Sequence, residues 1–190
     1  MKELKIAIAA FIALFVVLSP AFYNLALKPE AFIPNAGVVE PEIKSLNDTA
    51  MVGLPAPNPD MKYLNGGKIE LEAFRGKTVV VYLWSTWCPG CPKGLWHMNQ
   101  LHLKKENPDF VVLAANMGFR DRQEEIEHFV KRRNLTLPVV ICTPEVMAQF
   151  NIKGIPAVFI IDSQGTIQYE ALGPINEEEF EEKLKQVVEP

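Results

Sequence analysis

Two cysteines, Cys88 and Cys91, stand two residues apart in WSTWCPGCPKG at 84–94, each followed by a proline and the first preceded by a tryptophan. Cysteines at this spacing serve as a metal clamp, a structural staple or a pair of exchangeable sulfurs. A structural zinc site needs four ligands, normally two pairs, and Cys142, His97, His102 and His128 show no second-pair spacing. No metal is expected. A staple across so short a loop constrains almost no chain entropy. Exchange gains from closeness, because the second thiol can release a mixed disulfide before anything else attacks it. The chemistry expected is therefore a redox-active Cys88–Cys91 disulfide with no other cofactor.

The elements around the pair suit that use. Residues 78–85 (TVVVYLWS) are mostly β-branched or aromatic and carry no charge, as expected for a strand buried on both faces. The cysteines follow its C-terminal end, where α/β sheets place their sites. A helix should begin there, its free N–H groups and dipole favouring a thiolate. Cys88 is expected to be the exposed, low-pKa nucleophile and Cys91 the resolving thiol. Pro92 would clash with the Cys88 carbonyl if the helix began at Cys88, so the regular helix is expected to start near Pro92. Pro89 and Gly90 hold no charge between the sulfurs, and Lys93 is solvated; the redox poise expected is reducing.

Beyond the pair, Asn65-Gly66-Gly67 precedes a short strand at 68–71 and points to a hairpin. A helix carries Leu95, Met98 and Leu101 inward, and 109–117 is a second buried strand. Asp121 with Glu124 three residues on reads as the cap of a helix running to about Asn134. A strand at 137–142 and a short helix at 144–150 come next. Strands at 157–162 and 166–172, joined by Ser163-Gln164-Gly165, form a second hairpin, and Asn176 caps a last helix. Strands alternating with helices require a largely parallel sheet, and the terminal hairpin makes it mixed. The fold class is an α/β sandwich of three layers.

The 190 residues, 48% hydrophobic, suffice for one domain and an appendage. A net charge of −4 with interspersed signs offers no basic surface for nucleic acid. Lys2 and Lys5 precede a greasy stretch from Ile6 to Leu27, 22 residues, long enough to span roughly 30 Å of hydrocarbon. Residues 1–28 are expected to be a membrane anchor, with cleavage after Ser19-Pro20-Ala21 as a signal peptide the alternative. The lysines keep the N-terminus in the cytoplasm and send the remainder to the periplasmic or extracytoplasmic side. The prolines of 29–51 suggest an extended linker, and 52–190 is the domain.

WCPGC, GIPAVFIID at 154–162, GLPAPNPDM at 53–61, AFRGK at 73–77 and VVVYLWSTWC at 79–88 together resemble the thioredoxin superfamily, and within it the membrane-anchored TlpA/ResA-type thiol–disulfide oxidoreductases. The likeness covers about 52–189. It implies a thioredoxin-like fold, protein thiols and disulfides as substrate, an extracytoplasmic electron donor, and a reducing task such as cytochrome c maturation. It also implies a cis bond between Ile155 and Pro156, the two facing the cysteines and holding an extended substrate segment; from the residues alone Pro156 could equally begin an edge strand in trans. Trp84 and Trp87 shield the disulfide in this pattern, although core packing would explain them too. Three departures stand out. Tyr82 sits where thioredoxins carry a buried acid, and is expected to be filler. Gly94 and Trp96 stand where the group usually has Glu and Pro.

Two other activities use the same fold. A thiol peroxidase of the peroxiredoxin type needs Ser or Thr three residues before its cysteine, which Ser85 meets, and Pro seven before, which Val81 does not. A copper chaperone would use soft thiolates for Cu(I), but resembles a longer cysteine spacing with a distant histidine. Cys142 is expected to be a buried inert thiol, the alternative being a third reactive one. The histidines read as surface or core-edge residues, with His97 out of reach of Cys88.

Overall fold

The computed structural model describes residues 51–104 and 110–189; the expected anchor and linker lie outside them. Seven strands form one sheet: β1 (Met61–Tyr63), β2 (Lys68–Ile69), β3 (Thr78–Trp84), β4 (Phe110–Asn116), β5 (Val139–Cys142), β6 (Ala157–Ile161) and β7 (Ile167–Leu172), in the spatial order β2-β1-β5-β4-β3-β6-β7. The helices are α1 (Cys91–Lys104), α2 (Gln123–Arg132), α3 (Val146–Gln149) and α4 (Glu177–Val188), with a 3-10 turn at Leu71–Phe74. Among the described residues no helix is long and apolar enough to cross a membrane.

β3 is buried at all seven positions because it lies between β4 and β6 and both faces are covered. Its Val80, Tyr82 and Trp84 face one core, shared with Leu95 and Met98 of α1, Ile126 and Phe129 of α2, and Phe180 and Leu184 of α4. Val79, Val81 and Leu83 face the other, closed by Leu71, by Val146 and Phe150, and by Met51 and Ala56 of the incoming chain. Strict alternation along one strand thus feeds two cores.

Both hairpins form. β1 pairs antiparallel with β2, Met61 opposite Ile69. β6 and β7 are joined through Asp162, whose carboxylate accepts from the Gln164 and Thr166 backbone N–H groups at 2.9 Å. The sheet is mixed but not largely parallel: β3–β4 and β4–β5 run parallel, while β3–β6, β6–β7, β1–β5 and β1–β2 run antiparallel. The strand–helix alternation misleads here because the short α3 turns the chain back, so β6 enters beside β3 from the opposite end. β2 ends after two residues, since Leu71 begins the 3-10 turn. Asn134, with φ 50, stops the chain just beyond α2, as αL residues do at helix ends.

The cap of α2 is Arg122, not Asp121: Glu125 accepts from the Arg122 backbone N–H at 2.9 Å and from its guanidinium. Asp121 is drawn away by stronger partners at the end of β3. The cap of α4 is Asn176, whose Oδ1 accepts from Glu179 N.

Glu170 lies opposite Phe159 in β7, with both carboxylate oxygens enclosed. Burial raises its pKa to about 7, a Met51 backbone N–H pulling weakly the other way. The folded-state value exceeds the unfolded one, so folding favours the neutral acid. Stability is therefore lost as pH rises from the ordinary carboxylate range through 7. Glu170→Gln should raise stability by about 1 kcal/mol at pH 8, after discount for the partly solvated side chain, and leave it unchanged at pH 4. Melting curves at the two pH values check this; equal shifts at both would overturn it.

Candidate active site

β3 delivers the chain to the site and a tight turn completes it. Cys88 N donates to the Ser85 carbonyl and Cys91 N to the Cys88 carbonyl, both at 3.3 Å. The two cysteines are joined as a disulfide, their Cα atoms 5.5 Å apart. Helix α1 opens at Cys91 with Pro92 next, so Cys88 stands ahead of it and the proline clash never arises. Pro89 and Gly90 are exposed between the sulfurs. The first-turn N–H groups of α1 have no partners within the helix, which favours negative charge at the pair once it is reduced.

Cys88 is not the exposed residue expected. It is 4% exposed and Cys91 0%, because the bond ties the Cys88 sulfur to a fully enclosed neighbour within the apolar cluster of Trp84, Tyr82 and Leu95. Cys88 is still the more accessible of the two, and an attacking thiolate has only a narrow opening.

The Ile155–Pro156 bond is cis, and Pro156 Cδ lies 3.6 Å from where a Cβ on Gly90 would stand. The start of β6 therefore abuts the cysteine turn. Ile155 is half-buried and touches both cores. Trp84 is fully buried against Phe129, ring centroids 5.1 Å apart. Trp87 is 46% exposed and its Nε1–H donates to the Phe119 carbonyl at 3.0 Å.

Tyr82 is more than filler. Its ring lies over Gly94, where any Cβ would overlap the phenol, and its hydroxyl donates to the Cys91 carbonyl at 3.1 Å. Burial holds its pKa well above the ordinary tyrosine value, so it acts as a donor and not as a base at neutral pH. Two departures from the family pattern, at 82 and 94, are thus one packing solution. Lys93 does not serve the sulfurs either; its Nζ reaches Glu177 at 3.0 Å, which lowers the Glu177 pKa. His97 is buried by α4, its ring 6.1 Å from that of Phe180 and 3.5 Å from carboxylates of Glu177 and Glu181.

Asp121 is the functional-site residue the sequence did not disclose. Its carboxylate accepts from Thr86 N at 2.9 Å, from Thr86 Oγ1, and from Asn116 Nδ2 at 2.7 Å, tying the approach to Cys88 to the loop after β4. The clue lay in register: Trp84 pairs with Asn116, so the two following loops must meet.

Cys142 belongs to the opposite core from the pair. It is 4% exposed, and burial pushes its thiol pKa up to about 12. Iodoacetamide should label it at least about 100-fold more slowly than Cys88 in the reduced, folded protein, because the thiolate is the reactive form; comparable rates, read by mass spectrometry, would refute this.

A strand-end disulfide opening a helix and faced by a cis-proline defines a thiol–disulfide exchange protein. Residues 52–170 match the AhpC/TSA family, and the chain belongs to it. It is 34% identical over 137 residues to thiol-disulfide oxidoreductase ResA of Bacillus thuringiensis subsp. konkukian, covering 72% of this chain and 78% of the relative. It is 32% identical over 134 residues to thioredoxin-like protein YneN of Bacillus subtilis, covering 70% and 78%. A thiol-disulfide isomerase from Corynebacterium glutamicum superposes with a TM-score of 0.66 at 19% identity, covering 73% of this chain and 97% of that one; at that identity the likeness speaks for the fold. The fold is thioredoxin-like with a mixed sheet, and the protein is a thiol–disulfide oxidoreductase of ResA-like type.

Proposed function

We propose that the protein is a membrane-tethered, extracytoplasmic reductase of protein disulfides, serving exported apoproteins whose cysteines must be free, as in cytochrome c maturation. The observation that carries the reading is the Cys88–Cys91 disulfide at the start of α1, packed against cis-Pro156. The relatives named ResA support the type of activity, and the apolar run from Ile6 to Leu27 supports the tether.

The reaction balances as two exchanges. In the reduced protein the Cys88 thiolate attacks one sulfur of a substrate disulfide, releasing the other as a thiolate that takes a proton. Cys91 then attacks Cys88, expelling the second substrate sulfur as a thiol and closing the Cys88–Cys91 bond. One disulfide is reduced and one formed; an extracytoplasmic dithiol donor must restore the pair. Tyr82, held neutral, cannot accept the Cys91 proton, so water is the acceptor we assign.

Equilibration of the 88–91 pair with a glutathione or dithiothreitol couple tests the direction. A potential nearer −270 mV, on the order of thioredoxin's, supports a reductase; about −120 mV, the strong-oxidant end, would reverse it. Fractionation of cells expressing the full chain tests the tether, which recovery in the soluble extracytoplasmic fraction would remove.

A further inference from the structure

The loop at 117–121 follows β4 and meets the chain just before the disulfide, through Thr86 and Trp87. It presents Phe119, 48% exposed, edge-on to Trp87 with ring centroids 6.4 Å apart. Next to it stands Arg120 with φ 61, a conformation uncommon for a residue with a side chain and concentrated at functional sites. Several contacts hold this arrangement. Asp121 ties the loop to Thr86, Asn116 Oδ1 accepts from Gly118 N at 2.9 Å, and Trp87 Nε1 holds the Phe119 carbonyl. Gly118 passes so close to the Cys142 carbonyl that no Cβ fits. The loop backbone and the aromatic pair are thus fixed in advance, with Trp87 the residue just before Cys88 and Arg120 next to Phe119, as preorganised recognition surfaces are.

From Trp87 a groove of about 530 Å³ runs along α2, lined by Arg120, Arg132, His128, Glu124 and Glu125. Glu125 is engaged by the Arg122 guanidinium at 2.9 Å, and Glu124 lies within the field of the same arginine. Among the described residues neither Arg120 nor Arg132 ends on a carboxylate. The groove therefore offers two guanidinium groups that end on no carboxylate, with Glu124 the one lining carboxylate that no ion pair engages among the described residues.

We infer that this groove is the substrate-reading surface: an extended, acidic segment flanking the substrate's cysteine lies along it, its carboxylates on Arg120 and Arg132 and its apolar atoms on Trp87, against whose ring Phe119 stands at the groove's edge. The inference rests on the disulfide-reductase reading and names the substrates it favours. Arginine forks suit carboxylates, and charge complementarity acts mainly on association rate and on choice among partners.

The test uses the reduced full-length protein and two peptides, each carrying one cysteine as its mixed disulfide with 2-mercaptoethanol, flanked by aspartates in one and lysines in the other. The second-order rate constants should favour the acidic peptide about tenfold at low ionic strength and converge in 0.5 M salt. Arg120→Asn with Arg132→Gln should bring the low-salt ratio near one; asparagine tolerates the left-handed backbone. Because the ratio is taken within one protein, partial loss of folded protein lowers both rates and leaves it unmoved. Equal rates for the two peptides in the wild type, or a ratio that survives both substitutions, would overturn the inference. Failure to reduce even 2-hydroxyethyl disulfide would instead sink the reductase reading.

Discussion

Cys88→Ser should abolish reduction of insulin disulfides, lowering the rate by at least about three orders of magnitude, since a serine hydroxyl at neutral pH is not the ionised nucleophile that exchange requires. No other sulfur can substitute. Cys91 is fully enclosed, and Cys142 is buried in the opposite core with its pKa pushed up to about 12. Cys91→Ser should behave differently. The first attack survives, the mixed disulfide accumulates, and non-reducing electrophoresis shows a band at the combined mass that dithiothreitol dissolves. The asymmetry follows from position: Cys88 precedes α1 and keeps a small opening, while Cys91 begins the helix beneath Tyr82. A Cys88→Ser protein with undiminished turnover, or trapping by Cys88→Ser in place of Cys91→Ser, would reverse the assignment.

The second large effect concerns stability at the same turn. Glycine to alanine inside a helix ordinarily gains about 1 kcal/mol. Gly94→Ala should instead lose about 2 kcal/mol net, because the added methyl meets the Tyr82 ring, with Cζ at 2.7 Å and Cε2 at 2.9 Å, and overpacking a full core costs about 1–3 kcal/mol. The melting temperature should fall by about 5–10 °C. Tyr82→Phe gives only part of the relief: it removes the hydroxyl that comes nearest the new methyl, but the ring carbons remain, and it also removes the bond to the Cys91 carbonyl, worth about 1 kcal/mol. In a Tyr82→Ala background the sign should change and Gly94→Ala should stabilise. A double-mutant cycle by thermal or urea unfolding reads this coupling; additive effects would show that the two positions do not share one space.

Much of the site was legible because its information is local. A cysteine pair with a two-residue gap announces exchange chemistry by elimination, and the uncharged run before it announces a buried strand end. Asn65-Gly66-Gly67 and Ser163-Gln164-Gly165 mark their hairpins because only certain residues accept those turns. The expectation that Cys88 is exposed failed for a tertiary reason: closing the disulfide ties it to a sulfur already enclosed by Tyr82, Trp84 and Leu95. Asp121 looked like a helix cap because aspartate before a helix usually is one. Its carboxylate instead meets Thr86, 35 positions away, a partner that exists only once β3 and β4 lie side by side.

Residue types and short spacings alone pointed to disulfide exchange at Cys88 and Cys91, and to a buried strand and a helix that hold them. Only the tertiary structure decided how that pair is framed: the antiparallel entry of β6 that brings Pro156 against Gly90, the fit of Tyr82 over Gly94, and the fixed loop that sets Phe119 and Arg120 beside Trp87. The physical reason is range. Turn chemistry and hydrophobic period act over a few residues, whereas these contacts join segments far apart in the chain, and strand order and register alone bring them within reach.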